Sequence, residues 1–184
     1  MKRLCVFLGS SPSSAQTFTP FATELGHAIA DHKIELIYGG ANSGLMGTLS
    51  NAVLEKGGHV IGVIPRLLID MEVAHRGISE LHVVDSMHER KQKMFELADG
   101  FIALPGGFGT LEEIFEVLTW RQIGLHQKPC GFLNINGYYD KLFDFLGHAE
   151  DNGFLRIGVR SSIALHHSPV HLIALLKETH ALSL

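Results

Sequence analysis

The chain has 184 residues, 46% of them hydrophobic and 18% charged, which is the composition of a globular domain with a sizeable core and excludes disorder as its main state. Its formal net charge of −4 provides no basic footprint for a nucleic-acid duplex. No segment approaches the roughly 18–20 apolar residues that span a membrane, and the run beginning at Leu4 is shorter than the roughly 7–15 residues of a secretion-signal core, so a cytoplasmic location is expected.

In chain order, Leu4–Leu8, Glu35–Tyr38, Val60–Ile64, Leu81–Val84, Phe101–Leu104 and Gly131–Asn134 read as strands. Helical spacing fills the stretches between them, as in Phe21, Leu25, Ala28 and Ile29, and again in Leu111, Ile114, Phe115 and Leu118. Strands apolar on both faces and separated by helices predict one α/β domain over residues 1–184. Its parallel sheet is doubly wound, with helices on both faces. Ligands of such sheets bind beyond the carboxyl ends of the strands, where the strand order reverses. With the common order 3-2-1-4-5, the first, fourth and fifth strands would line that crevice. Function is then expected at Gly9-Ser10-Ser11, at Ser86 through Lys91, and at Pro105 through Glu113.

The turn Pro105-Gly106-Gly107-Phe108-Gly109-Thr110 follows a strand and opens a helix, where glycines admit a ligand to the backbone and unpaired N–H groups favour an anion. It lacks the GK[ST] of a Walker loop. Glu112 stands where a dinucleotide fingerprint needs its third glycine, which argues against nicotinamide. Glu113 has two readings: a partner of Thr110 in a capping box, or a catalytic carboxylate. Ser86 and Glu89 form another capping-box pair, placing a helix start at residue 86 or 87. Helical spacing then puts Met87, Arg90, Lys91, Met94 and Leu97 on the inward side. Two cations on the core-facing side near a helix start call for an anion. The second glycine-rich stretch, Gly39 to Gly47, either shapes the pocket or permits close helix–sheet packing. Ser10 and Ser11 add hydroxyl and backbone donors.

Cys5 and Cys130 match no metal or redox spacing and read as buried thiols. The twelve histidines are scattered, and His166, His167 and His171 straddle Pro169, so no metal site is expected.

The segment Ser86-Met87-His88-Glu89-Arg90-Lys91, followed by Leu104-Pro105-Gly106-Gly107-Phe108-Gly109-Thr110-Leu111-Glu112-Glu113, resembles the LOG ("Lonely guy") family of cytokinin riboside 5′-monophosphate phosphoribohydrolases, whose signature is PGGxGTxxE. Further matches at Cys5–Ser11, Tyr38–Gly47, Val63–Pro65, Glu72–His75, Thr119-Trp120 and Asn134–Tyr139 extend it over about residues 3–155. The resemblance implies a Rossmann-like homodimer with no metal or organic cofactor. It implies hydrolysis of the N-glycosidic bond of a purine nucleoside 5′-monophosphate, AMP or an N6-substituted AMP, to free base and ribose 5-phosphate. Arg90 and Glu113 fall on the family's catalytic pair. Glu72, Lys91, Gly107, Gly109, Thr110 and Thr119 fall on its nucleotide-binding positions. Met87, Gly106, Phe108, Ser10 and Ser11 complete the candidate substrate-binding set. Ala41 and Ser13-Ser14 depart from the family pattern. The alternatives are a general AMP nucleosidase and a non-catalytic nucleotide sensor. A lysine decarboxylase label carried by relatives would require pyridoxal phosphate on a lysine, for which Lys91 is the only lysine within a motif.

Overall fold

Apolar strands with no polar face can be satisfied only inside a sheet covered on both sides, and five of the strands here are of that kind. The computed structural model describes residues 1–9, 15–69 and 73–182. Its elements are β1 (Arg3–Phe7), α1 (Ala15–Asp31), β2 (Glu35–Tyr38), α2 (Gly44–Glu55), β3 (Val60–Pro65), β4 (Glu80–Val84), α3 (Met87–Leu97), β5 (Gly100–Ala103), α4 (Phe108–Gln122), β6 (Cys130–Leu133), α5 (Asp140–Asp151), β7 (Ala164–His166) and α6 (Pro169–Leu182). The strands form one parallel sheet in the order β4-β3-β2-β1-β5-β6-β7.

Alternation along each strand divides the core in two. Leu4 and Val6 of β1 face a layer of α1, α2 and α6, with Leu25, Leu49 and Leu172 among the buried contacts. Cys5 and Phe7 face α3, α4 and α5, with Met94, Ile114 and Phe143. The doubly wound α/β expectation therefore holds, but the expected strand order does not. The fourth strand lies at the sheet edge beside β3, not beside β1. Its sequence, Glu80-Leu-His-Val-Val84, leaves Glu80 and Val83 exposed and the other three half-buried, as suits an edge. The reversal of strand order falls between β1 and β5. Residues after β4 still reach it because α3 runs back across β3, β2 and β1. The short strand β7, half-buried throughout, was not among the expected strands.

Both cysteines are buried and unpaired. Burial pushes the Cys5 thiol well above its ordinary value and that of Cys130 up to about 12, so both are inert packing groups.

Two imidazoles are held neutral in one tautomer. His126 donates from Nε2 to the Val117 carbonyl (2.8 Å) and accepts the Lys128 N–H at Nδ1 (3.0 Å), while its ring packs on Phe95. His75 pairs with Asn51 Oδ1 through Nε2 (3.0 Å) and accepts the Gly77 N–H at Nδ1 (3.2 Å). Burial lowers the pKa of each. Between the depressed folded value and the unfolded value near 6.5, the unfolded chain binds more protons, so stability rises with pH in that window. The melting temperature is therefore expected to be level above about pH 7 and to fall as pH drops below about 6.5. His126→Gln should flatten that fall when melting is followed by circular dichroism across pH 5–8.

Candidate active site

The reversal between β1 and β5 opens a crevice that two chain segments enter directly: Leu8-Gly9 after β1 and Pro105-Gly106-Gly107 after β5. Helix α4 begins at Phe108 with Gly107 as its N-cap, and no side chain caps it. Its N-cap therefore offers no side-chain acceptor to the first-turn N–H groups, at the point where the helix dipole is most positive. The capping box read for Thr110 and Glu113 is not formed, because the glycine turn starts the helix earlier and moves both residues inside it. Thr110 instead is buried beneath Gly106, where a Cβ on Gly106 would overlap its side chain.

The other capping pair is formed in altered shape. Ser86 Oγ accepts the Glu89 N–H (3.1 Å), but the Glu89 carboxylate accepts the N–H of Asp85 (2.8 Å) rather than that of Ser86. This fixes the start of α3 at Met87 and turns Arg90 inward. Arg90 is only 3% exposed, and its Nη2 donates to the carbonyl of Gly39 (3.0 Å). The guanidinium occupies the space a side chain at residue 39 would fill, so Gly39 shapes the pocket by admitting it. Gly40, at φ +80°, turns the chain away immediately afterwards.

Lys91, predicted to share the inward side, reaches α4 instead. Its Nζ pairs with Glu112 and, at 3.0 Å, with Glu116. Partial burial works against its charge, but the two carboxylates prevail and raise its pKa. The anion demanded by this second cation is thus supplied by the protein.

These segments enclose a cavity of about 430 Å³. Of the candidate residues it gathers Met87, Arg90, Gly106, Gly107, Gly109, Thr110 and Glu113. Glu113, 8% exposed, enters from the second turn of α4. Burial first, and then the Glu113 charge, raise the pKa of the Cys5 thiol in β1, while the Arg90 charge lowers it. Lys91, Phe108 and Thr119 are not among the lining residues. Phe108 is 95% exposed, and the Thr119 hydroxyl donates to the Phe115 carbonyl (2.7 Å). Ser10, Ser11 and Glu72 lie outside the described residues.

The cavity also takes Leu8, Gly9, Phe18, Met46, Leu68, Pro105, Glu112 and Tyr138. Of these, sequence reasoning had named no function for Phe18, Met46, Leu68 and Tyr138. Met46 stands within the Gly39–Gly47 stretch, for which shaping the pocket is one of two readings, and Tyr138 within the Asn134–Tyr139 match, whereas Phe18 and Leu68 carry no local signal. The lining thus combines the glycine backbone at the start of α4, an arginine and a carboxylate, and the apolar side chains of Met46, Leu68 and Met87. That combination accommodates an anionic group, a polar reacting centre and a flat apolar ring. Among the described residues, no group of three or more His, Cys, Asp or Glu could hold a metal ion, and no helix is long and apolar enough to cross a membrane.

Comparison with known proteins agrees with this arrangement. A family model described as "Possible lysine decarboxylase" matches residues 46–176. The chain is 52% identical over 163 residues to a cytokinin riboside 5′-monophosphate phosphoribohydrolase of Rhodococcoides fascians, covering 88% of this chain and 82% of that one. It is 45% identical over 177 residues to an Arabidopsis thaliana protein of the same name, LOG2, covering 96% and 83%. Among solved structures, a molybdenum cofactor binding protein from Rippkaea orientalis superposes with a TM-score of 0.73 at 23% identity, over 97% of each chain. The molybdenum cofactor carrier protein of Chlamydomonas reinhardtii does so with a TM-score of 0.71 at 20% identity, over 97% and 98%. At such identities these two structures establish the fold alone.

Because the atom nearest a new Cβ at residue 39 is the tip of the flexible Arg90 side chain, Gly39→Ala should fold and melt within a few degrees of wild type. A crystal structure of that variant should show the guanidinium expelled from its place on the residue 39 carbonyl; an Arg90 left in place would contradict the packing argument.

Proposed function

The chain belongs to the LOG family of cytokinin riboside 5′-monophosphate phosphoribohydrolases, and from that premise we propose that it hydrolyses the N-glycosidic bond of an N6-substituted adenine nucleoside 5′-monophosphate. The observation that carries this reading is the convergence of buried Arg90 and Glu113 on one cavity with the side-chain-free start of α4.

The 5′-phosphate sits at the α4 N-terminus, against Gly107, Gly109 and Thr110, where backbone donors and the helix dipole meet a dianion. The base lies along the apolar wall of Met46, Leu68 and Met87. Holding both ends places the ribose over Glu113 and Arg90, so that orientation is settled before reaction. As the C1′–N bond breaks, its electron pair leaves with the base and positive charge grows on the ribose ring. The Glu113 carboxylate stabilises that charge and takes a proton from the attacking water, whose oxygen becomes the anomeric hydroxyl of ribose 5-phosphate. The departing base takes a proton at its glycosidic nitrogen from solvent and leaves as free cytokinin, and the proton on Glu113 returns to solvent, so that the net addition across the bond is one water. Arg90, held by Gly39, presents a fixed cation to the ribose and phosphate side of the substrate. The step needs only water as co-reactant.

Lys91, Phe108, Thr119, Glu72, Ser10 and Ser11 are proposed as further nucleotide contacts on the strength of the family motif. A homodimer with a cytoplasmic location, built from one domain per chain, completes the proposal. The dimer is supported by the apolar side chains left exposed by the cavity, Phe108 and Met87. Decarboxylation through a lysine Schiff base is disfavoured by a specific observation. The only lysine in the motifs is held as a cation by Glu112 and Glu116, whereas a Schiff-base amine must be neutral.

Glu113→Gln should lower kcat for base release by roughly 10²–10⁴-fold while the protein remains folded. The check is chromatography of free base from AMP and from N6-isopentenyl-AMP, with melting temperature measured in parallel. Binding of both nucleotides without any release of base by the wild-type protein would leave a nucleotide sensor in place of an enzyme.

A further inference from the structure

The segment Asn134–Asp140 after β6 takes no part in the chemistry described above, yet it is tied to the glycine turn by two hydroxyl groups. Asn136 and Gly137 both adopt left-handed backbone conformations, at φ 53° and 70°, folding the segment back over the end of β5. Asn134 locks that fold. Its Oδ1 accepts the Tyr139 N–H (2.8 Å) and its Nδ2 donates to the Asp140 carboxylate (2.7 Å). Two adjacent tyrosines are thereby aimed at consecutive parts of one strand-to-helix connection. The buried Tyr139 hydroxyl donates to the Leu104 carbonyl (2.5 Å), and the Tyr138 hydroxyl donates to the Gly106 carbonyl (2.9 Å).

We propose that Tyr138 is a positioning residue that locks the Gly106–Gly107 peptide in the orientation required to bind the substrate's 5′-phosphate; the proposal rests on the hydrolase reading for the identity of that phosphate. A peptide joining two glycines carries no side chain to oppose rotation about its flanking bonds. Gly106 is hemmed in by Thr110 on one side, but a Cβ at Gly107 would meet nothing within 4 Å. Packing restrains the peptide from the Gly106 side, and the carbonyl beyond it, on Gly107, accepts the Leu111 N–H (3.0 Å); the Gly106 carbonyl itself is fixed by the Tyr138 hydroxyl. In a planar trans peptide the carbonyl and N–H point in opposite directions. A donor on the Gly106 oxygen consequently sets the direction of the Gly107 N–H as well. A flip would exchange the two and bring a carbonyl oxygen, with its partial negative charge, to the turn that receives an anion.

Tyr138 is suited to this task because it is itself fixed. Its ring stands edge-on to Phe18 (5.7 Å between centroids) and to Tyr139 (4.9 Å). Phe18 and Tyr138 also line the cavity beside Gly106 and Gly107. The tyrosine is thus 47% exposed, yet its hydroxyl serves the backbone.

The test is Tyr138→Phe, which keeps the ring and its aromatic contacts and removes only the donor. Affinity for ribose 5-phosphate, measured by calorimetry, should fall about tenfold, the equivalent of one hydrogen bond. The kcat/KM for AMP should fall with it. Affinity for adenosine, which lacks the phosphate, should be unchanged, and the melting temperature should move by no more than a few degrees. That selectivity separates positioning of the phosphate turn from a general loosening of the site. Unchanged affinity for ribose 5-phosphate overturns the proposal, as does an equal loss for adenosine, or no ribose 5-phosphate binding by the wild type. Turnover by the wild type is read separately: its absence, with the phosphate-selective loss present, overturns the hydrolase reading and leaves Tyr138 in its role.

Discussion

The burial of one guanidinium against one carbonyl organises this site. An arginine that is nearly inaccessible to solvent is costly unless its donors are met and its charge is balanced. Arg90 meets part of that requirement by donating from Nη2 to the Gly39 carbonyl, in a space that exists only because residue 39 has no side chain. The contact joins the loop after β2 to the first turns of α3, adding a polar tie to the apolar packing of α3 on the sheet. Helix α3 crosses back because it joins the edge strand β4 to β5, which pairs with β1, and that crossing carries Arg90 to the end of β2.

Opposite this cation, the sheet provides what side chains do not. The reversal between β1 and β5 leaves a crevice, and the glycine turn fills its rim with backbone. Glu113 enters from the second turn of α4 because the turn started that helix at Phe108. A start at Thr110 would have left the same carboxylate at the helix end, occupied with capping. The position of a helix boundary thus decides whether Glu113 serves the fold or the cavity. Glu112, one residue earlier and rotated by about 100°, is drawn outward to Lys91.

Much of this was legible in the sequence, and the exceptions have physical causes. The buried strands were readable because continuous apolar runs of that length have few other uses. The strand order was not, since which parallel strands pair is decided by nonlocal packing. The polar alternation of Glu80 and His82 was the available hint that β4 is an edge. The two capping-box spacings are the same in sequence, yet only Ser86 caps a helix, because the glycines ahead of Thr110 can themselves adopt the helix-starting geometry. Lys91 looked equivalent to Arg90 by helical spacing. Adjacent positions differ by a large rotation, however, and the carboxylates of α4 were waiting on one side of that difference. Phe18 and Leu68 could not have been found, since an apolar residue lining a cavity is indistinguishable in sequence from one lining the core.

Stability and function accordingly draw on different parts of the chain. The two apolar layers on either side of the sheet hold the fold, and they tolerate the features that the site demands: a buried cation, an uncapped helix, and a peptide between two glycines. Each of those would be a weakness in isolation. Two of them gain a contact from an element distant in sequence: the Gly39 carbonyl for the cation and the Tyr138 hydroxyl for the Gly106–Gly107 peptide. The start of α4 differs from the other two, because its N-cap is a glycine with no side chain to cap it. A helix start whose N-cap is a glycine, beside a buried carboxylate and arginine, leaves backbone donors for water or an anion to satisfy, and that is the feature of the cavity that favours an anionic ligand.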